Sequence, residues 1–465
     1  MSRRLPRGTD LGQPPRSPFD LIDELSCYYD TPAEPNNELF EVLVPGSIDY
    51  QVLRQAVAGA LAAAPRARGR MAAGHAFRRR YLWEFPPVPD VDPLSHATWS
   101  DEDELLAVRI RFLASAPPLH TSPPVRLLLA SGPGASCVIL NAHHAAMDGV
   151  SCVELLRDIA VRYQAITGDS PTGDAAPARP AANVPSVPTA QDPVPWSPPR
   201  SWLRAPVRAV RRHLVARIAP ERNPAEGRDG CGLRMLLLPS VPRPPGATVN
   251  DMLVAALIAT ISRWNAAHHR PPAVIRITVP VSVREPGLRG VAGNDTRNET
   301  VIADPLTAAG ELPSLLAAVT RQTTALRQAH PRQASAGALG LAPGWCPVAA
   351  KRLAIRFALR AMGPVLCDTS ILTNLGNVTE PPWSGPRGPV RMAVSGPAHM
   401  PRGLSVGAMT ADGQLQLTFR YRYALFDEAA AARFVAAYAA TLDELTMSTG
   451  PHERVGADSQ GRRYP

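Results

Sequence analysis

Residues 143–149 read His-His-Ala-Ala-Met-Asp-Gly and follow the apolar run Cys137-Val138-Ile139-Leu140-Asn141-Ala142. If that run is a strand, its side chains alternate between two faces, so His143 and His144 point opposite ways and only one can enter a cavity. Adjacent strand histidines do not readily converge on one ion, and neither a His-Glu-x-x-His pattern nor a cysteine cluster stands nearby, which makes a zinc site a poor fit. No Gly-x-Ser-x-Gly nucleophile elbow is expected in the chain, and Ser151 follows Asp148-Gly149 without flanking glycines on both sides, so a serine hydrolase fits poorly. What remains is an imidazole without a protein nucleophile. Such a group serves as a general base toward the hydroxyl or amine of a second substrate, and imidazoles, with an ordinary pKa of about 6.5, suit that work near neutral pH. The plain alternative is a histidine satisfied within the core.

Positioning such a base takes a strand, a tight loop and a helix. Residues 123–144 read as two apolar strand runs around a Gly132-Pro133-Gly134 turn. Beyond the loop Val153, Leu156, Ala160 and Tyr163 recur at helical spacing, stopped by Gly168. Asp148 stands where it would cap that helix, and Gly149 permits a close backbone approach that a side chain would block. Upstream, 38–46 reads as a strand and 50–64 as an amphipathic helix ended by Pro65. Residues 171–200 carry nine prolines and form a linker, which divides the chain into a first lobe (1–170), a linker with a short basic helix over Leu203–Ile218 (171–226), and a second lobe (227–465). In the second lobe Thr248 and Asp251 form a capping box before a buried helix. Ile275, Ile277, Val279 and Val281 alternate as a strand. Residues 403–423 form a hairpin turning at Ala411-Asp412-Gly413, and an amphipathic helix over 427–446 closes the fold.

The heptapeptide is an intact HHxxxDG motif, and its surroundings resemble the chloramphenicol-acetyltransferase-like superfamily, which includes peptide-synthetase condensation domains, wax-ester synthases and polyketide-associated acyltransferases. The resemblance extends to Gly46–Arg70, Pro123–Leu129, Ala247–Leu257, Val279–Gly287 with Gly293-Asn294-Asp295, Thr373–Gly376 and Ala424–Phe434. The plant-type DFGWG signature is absent, which argues against the plant branch. The resemblance implies a mixed α/β fold, two lobes forming a V-shaped pseudo-dimer with a tunnel at the interface. It implies that His144 is the general base, that His143 supports the loop, and that Asp148 holds the loop by an ion pair to Arg284, with Arg276 as the competing partner. The Gly149 N–H would help hold an oxyanion, and Ser370, Thr373, Asn374 and Gly376 would line the tunnel from the second lobe. The donor would be a thioester of coenzyme A or of a carrier protein's phosphopantetheine, and the acceptor a small-molecule hydroxyl or amine. No tightly bound cofactor or metal is implied. The alternatives are a non-catalytic module that recruits a carrier protein, and a lipid-directed ester synthase.

Composition narrows the rest. The 465 residues, 45% hydrophobic, suit a large folded unit, and no uncharged apolar run reaches the roughly 18 residues of a membrane span. A net charge of +9 rests almost wholly on arginine, Lys351 being the sole lysine, with 51 prolines. Aromatics make up 5%, too few to interleave with the basic clusters at 64–80 and 200–222 as nucleic-acid binding would want. Contact of the basic stretch 351–360 with a carrier protein, a CoA phosphate or a membrane is weighed against an ordinary solvated face. Six scattered cysteines, none in Cys-x-x-Cys, read as free thiols. A cytoplasmic, free-standing, monomeric enzyme of specialised metabolism is the expectation.

Overall fold

The computed structural model of the chain describes residues 14–75, 77–168, 215–223, 227, 229–239, 241–282, 294, 296–328, 346–384 and 388–448. The expectations for 171–200, for Arg284 and for most of the basic helix fall outside them.

The first half runs β1 (Arg16–Pro18), α1 (Leu21–Tyr29), β2 (Asn37–Pro45), α2 (Tyr50–Ala63), β3 (Arg70–Met71), β4 (Leu82–Glu84), β5 (Leu94–Thr98), α3 (Glu102–Leu113), β6 (Val125–Gly132), β7 (Ala135–His143) and α4 (Gly149–Thr167). Short-range chemistry sets many of these boundaries. Asp49 accepts the Val52 N–H at 2.9 Å to begin α2, and Asp101 accepts the Glu104 N–H at 2.8 Å to begin α3. Gly168 ends α4 in the left-handed region, at φ 76°. The expected hairpin is present: β6 and β7 pair antiparallel from Val125–Ala142 to Gly132–Ala135.

The second half runs β8 (Cys231–Leu238), α5 (Val249–Ala267), β9 (Ile275–Ser282), β10 (Thr296–Ala303), α6 (Pro305–Ala309), α7 (Leu312–Gln328), α8 (Val348–Leu366), β11 (Ser370–Val378), β12 (Arg391–Ser395), β13 (Leu404–Ala411), β14 (Gln414–Arg422) and α9 (Glu428–Ser448). Both bonds of the Thr248–Asp251 capping box form, at 3.2 and 2.8 Å. Met252–Ile261 are buried all round the helix, which makes α5 the centre of the second core. On α8, by contrast, Leu353 and Phe357 are open to solvent.

Two sheets define two lobes. One has the order β12-β2-β7-β6-β5, the other β10-β9-β11-β13-β14-β8. Both mix parallel and antiparallel pairs. The apolar face of the first, with Phe40, Val42, Val138 and Leu140, packs with Leu53, Val57 and Leu156 of α2 and α4. One strand crosses over: β12, far along the chain, pairs with β2 from Arg391–Leu43 to Ser395–Leu39. The expected helix does not reach Ile218. Val215 bridges Val274 in parallel, and the backbone polar groups that a helix would have satisfied go elsewhere. Asn265 takes the Ala219 N–H at 2.8 Å and donates to the Arg217 carbonyl at 3.1 Å.

Candidate active site

The last residue of β7 is His143, paired with Asn37 of β2. It is buried, and its Nδ1 accepts the Ala145 N–H at 3.0 Å, which closes the loop on itself. Its Nε2 lies 3.6 Å from Asp30 Oδ2. Burial alone would raise the Asp30 carboxyl, but the His143 hydrogen bond and charge, with the Asn36 N–H, outweigh it and hold the group below its ordinary range. His144 faces the other way. Its side chain is 27% exposed against 2% for His143, and its Nε2 lies 3.3 Å from Glu38 Oε1. The His144 N–H donates to the Asn36 carbonyl at 3.0 Å.

Asp148 caps α4, accepting the Ser151 N–H at 2.9 Å, while the hydroxyl of Thr296 on β10 donates to its other oxygen at 3.4 Å. The aspartate therefore fixes the helix start and ties the loop to the second lobe. Arg284, its expected partner, lies outside the described residues, and Arg276 makes an ion pair with Asp368 at 2.7 Å. Gly149 is the first helical residue, where a backbone N–H has no acceptor within the helix. A Cβ there would stand 3.0 Å from Leu375 Cδ2 and 3.5 Å from the Phe40 ring. Leu375 reaches it from a bulge in β11: Asn374 pairs with Ala408 and Asn377 with Thr410, so two residues of one strand face one of the other. Gly376 supplies the φ of 70° and donates its N–H to Asn374 Oδ1 at 2.9 Å.

Thr373 and Asn374 are part-exposed on β11, with the Thr373 hydroxyl near Gly396, where β12 leads toward β13. Ser370 is placed differently from its expected position in a tunnel wall. It is fully buried and its hydroxyl donates to the Leu404 carbonyl at 3.0 Å, because the start of β11 lies between β9 and β13. A Gly-x-Ser-x-Gly spelling does occur, at Gly403–Gly407. There Ser405 is buried inside β13 opposite Arg420, and a hairpin rather than a helix follows, so the spelling is not a nucleophile elbow.

Several supporting residues carry no motif. Asn294, readable from sequence only as a strand cap, donates to the His144 carbonyl at 2.8 Å and to Asp23 Oδ1 at 2.9 Å. Asp23 in turn pairs with Arg66, whose Nε donates to the Ala146 carbonyl at 3.2 Å. On β2, Asn37 donates to Asn141 Oδ1 at 2.9 Å and accepts from Arg420 at 3.0 Å. The available signal was polarity out of place: Asn141 interrupts the apolar run of β7, and Asn37 opens β2 yet is fully buried. Among the described residues no group of three or more His, Cys, Asp or Glu side chains is placed to hold a metal ion. All six cysteines are free, and burial pushes the Cys27 and Cys137 thiols well above their ordinary range. No helix among the described residues is long and apolar enough to cross a membrane.

Two mixed sheets with flanking helices, and a histidine loop where the second lobe meets the first, give the chain the fold seen in solved condensation domains. Among solved structures the chain is similar to the first condensation domain of the calcium-dependent antibiotic synthetase in complex with a substrate analogue. The TM-score is 0.62 and the identity 15%, over 95% of this chain and 98% of that one. It is also similar to the epimerization domain from the third module of tyrocidine synthetase B, with a TM-score of 0.55 and 16% identity over 96% and 99% of the two chains. In sequence it is 28% identical to an uncharacterized protein of Mycobacterium tuberculosis over 440 residues, 90% of this chain and 97% of that protein. No family model matches.

Proposed function

We propose that the chain is an acyltransferase of the condensation type, moving an acyl group from a coenzyme A or carrier-protein thioester to a hydroxyl or amine acceptor and forming an ester or amide. The observation that carries this reading is the division of the two histidines: His143 is buried and bonded into its own loop, while His144 keeps an accessible imidazole. In the proposed reaction His144 takes the acceptor's proton as the acceptor oxygen or nitrogen attacks the thioester carbonyl. The N–H of Gly149, at the positive end of α4, would stabilise the tetrahedral oxyanion. Collapse breaks the carbon–sulfur bond, and the departing thiolate recovers the proton from His144. Thr373, Asn374 and Gly376 would border the acceptor side, with Asp148 and Asn294 holding the loop.

Mass spectrometry of the full chain with a panel of acyl thioesters and candidate acceptors tests this. General-base assistance contributes about 10²–10⁴ in rate, so His144→Ala is expected to lower transfer by a factor of that order. Equal transfer by wild type and variant would overturn the mechanism.

A further inference from the structure

Helix α8 carries apolar residues on two opposite sides. Val348 is buried in the first lobe's core and Ile355 packs against that core, while Lys351 donates to Glu24 of α1 at 3.1 Å and to the Arg79 carbonyl at 3.0 Å. That is the inward side. Leu353 and Phe357 each stand two residues from Ile355, more than half a turn away, and each is 72% exposed. Ala350, Ala354 and Ala361 extend the same outward strip, and the exposed Arg356 and Arg360 border it on one flank. The loop before β4 adjoins the start of the helix, where the Val348 N–H donates to the Arg78 carbonyl at 2.9 Å. It adds Phe77, 78% exposed, and the exposed Arg79 and Arg80.

The charge on this face is of one sign. Neither α8 nor residues 64–80 contain an Asp or Glu, and none of Arg79, Arg80, Arg356 and Arg360 is in an ion pair with a described residue. An occupant must therefore be anionic and must also take up bare apolar side chains. Shape separates two such occupants. The anchors of a protein interface fill pockets, whereas Leu353, Phe357 and Phe77 stand out from a convex helix and loop, and the cavities beside α2 and α3 are lined by none of them. Side chains that project in this way enter the boundary between headgroups and acyl chains, with arginines reaching the phosphates.

We propose that the outward face of α8, with loop 77–80, docks on an anionic lipid surface. Docking is read without turnover, so it stands or falls separately from acyl transfer. The full chain is expected to co-sediment with phosphatidylcholine vesicles that contain phosphatidylglycerol, not with phosphatidylcholine alone, and to be released as salt rises. Leu353→Ser/Phe357→Ser is expected to weaken partitioning about 10- to 100-fold, and Arg356→Gln/Arg360→Gln about 10- to 30-fold. Val88→Ser/Val91→Ser, at exposed apolar positions on the loop beside α2, should leave it unchanged. All these positions are exposed, so melting temperatures should match wild type, and the single substitutions carry the test for any pair that melts early. No sedimentation with the anionic vesicles, or equal sedimentation by wild type and both α8 variants, would overturn the proposal. So would a chain that ignores vesicles and, from a photoreactive residue placed at 357, cross-links to an acidic protein, a result that would give the face to a protein partner.

Discussion

At His399, burial and then the nearby Arg420 and Arg402 guanidinium groups push the imidazole down to about 3. The ring stacks on Tyr29 with centroids 5.9 Å apart and stays neutral in the fold at ordinary pH. An unfolded chain would protonate the same histidine near its ordinary pKa of about 6.5. The unfolded state therefore binds the extra proton first. Stability from this residue is present above about 6.5 and is lost as the pH falls toward 3. Melting temperature measured across that window should drop on acidification, and His399→Phe should flatten the slope. At this scale the sequence revealed the histidine loop, because alternation alone separates two adjacent residues. It concealed Asn294, because its role depends on partners far along the chain; Asn294 is 150 residues from the carbonyl it holds.

The elements show the same division between local and distant causes. Caps, the β6–β7 and β13–β14 hairpins and the buried α5 were legible because each follows from neighbouring residues. The bulge in β11 was not, since a register shift exists only relative to the partner strand. Its effect is to aim Leu375 at Gly149, so these two positions should be energetically coupled. Gly149→Val is expected to lower stability by about 1–3 kcal/mol through overpacking. Leu375→Ala in the same chain should restore part of that loss, and a double-mutant cycle read by denaturant unfolding should give a coupling of about 0.5–3 kcal/mol. The segment 215–218 fails as a helix for a related reason. Arg217 donates to the carbonyls of Gly363, Cys367 and Asp368, contacts that its own neighbours do not foretell.

For the whole molecule, composition and element order indicated a mixed α/β chain in two lobes, whereas the route of the chain between them was hidden. β12 completes the first lobe's sheet from the far side of the sequence, and Arg420 of β14 donates to the Asn37 carbonyl at 3.0 Å. Residues 1–226 expressed alone would leave β2 as an uncovered edge and are expected to be aggregation-prone. Supplying 227–465 in the same cell should recover soluble protein, measured as the soluble fraction and as co-elution of the two pieces. The five residue pairs from Arg391–Leu43 to Ser395–Leu39 also limit how the molecule can breathe. Each ladder hydrogen bond is worth about 0.5–1.5 kcal/mol net, so swinging the lobes apart like jaws would mean tearing a riveted seam. Under the proposed acyl-transfer function, passengers would then come and go through side-chain and loop movement, and the bulk of the cargo would become a filter in its own right.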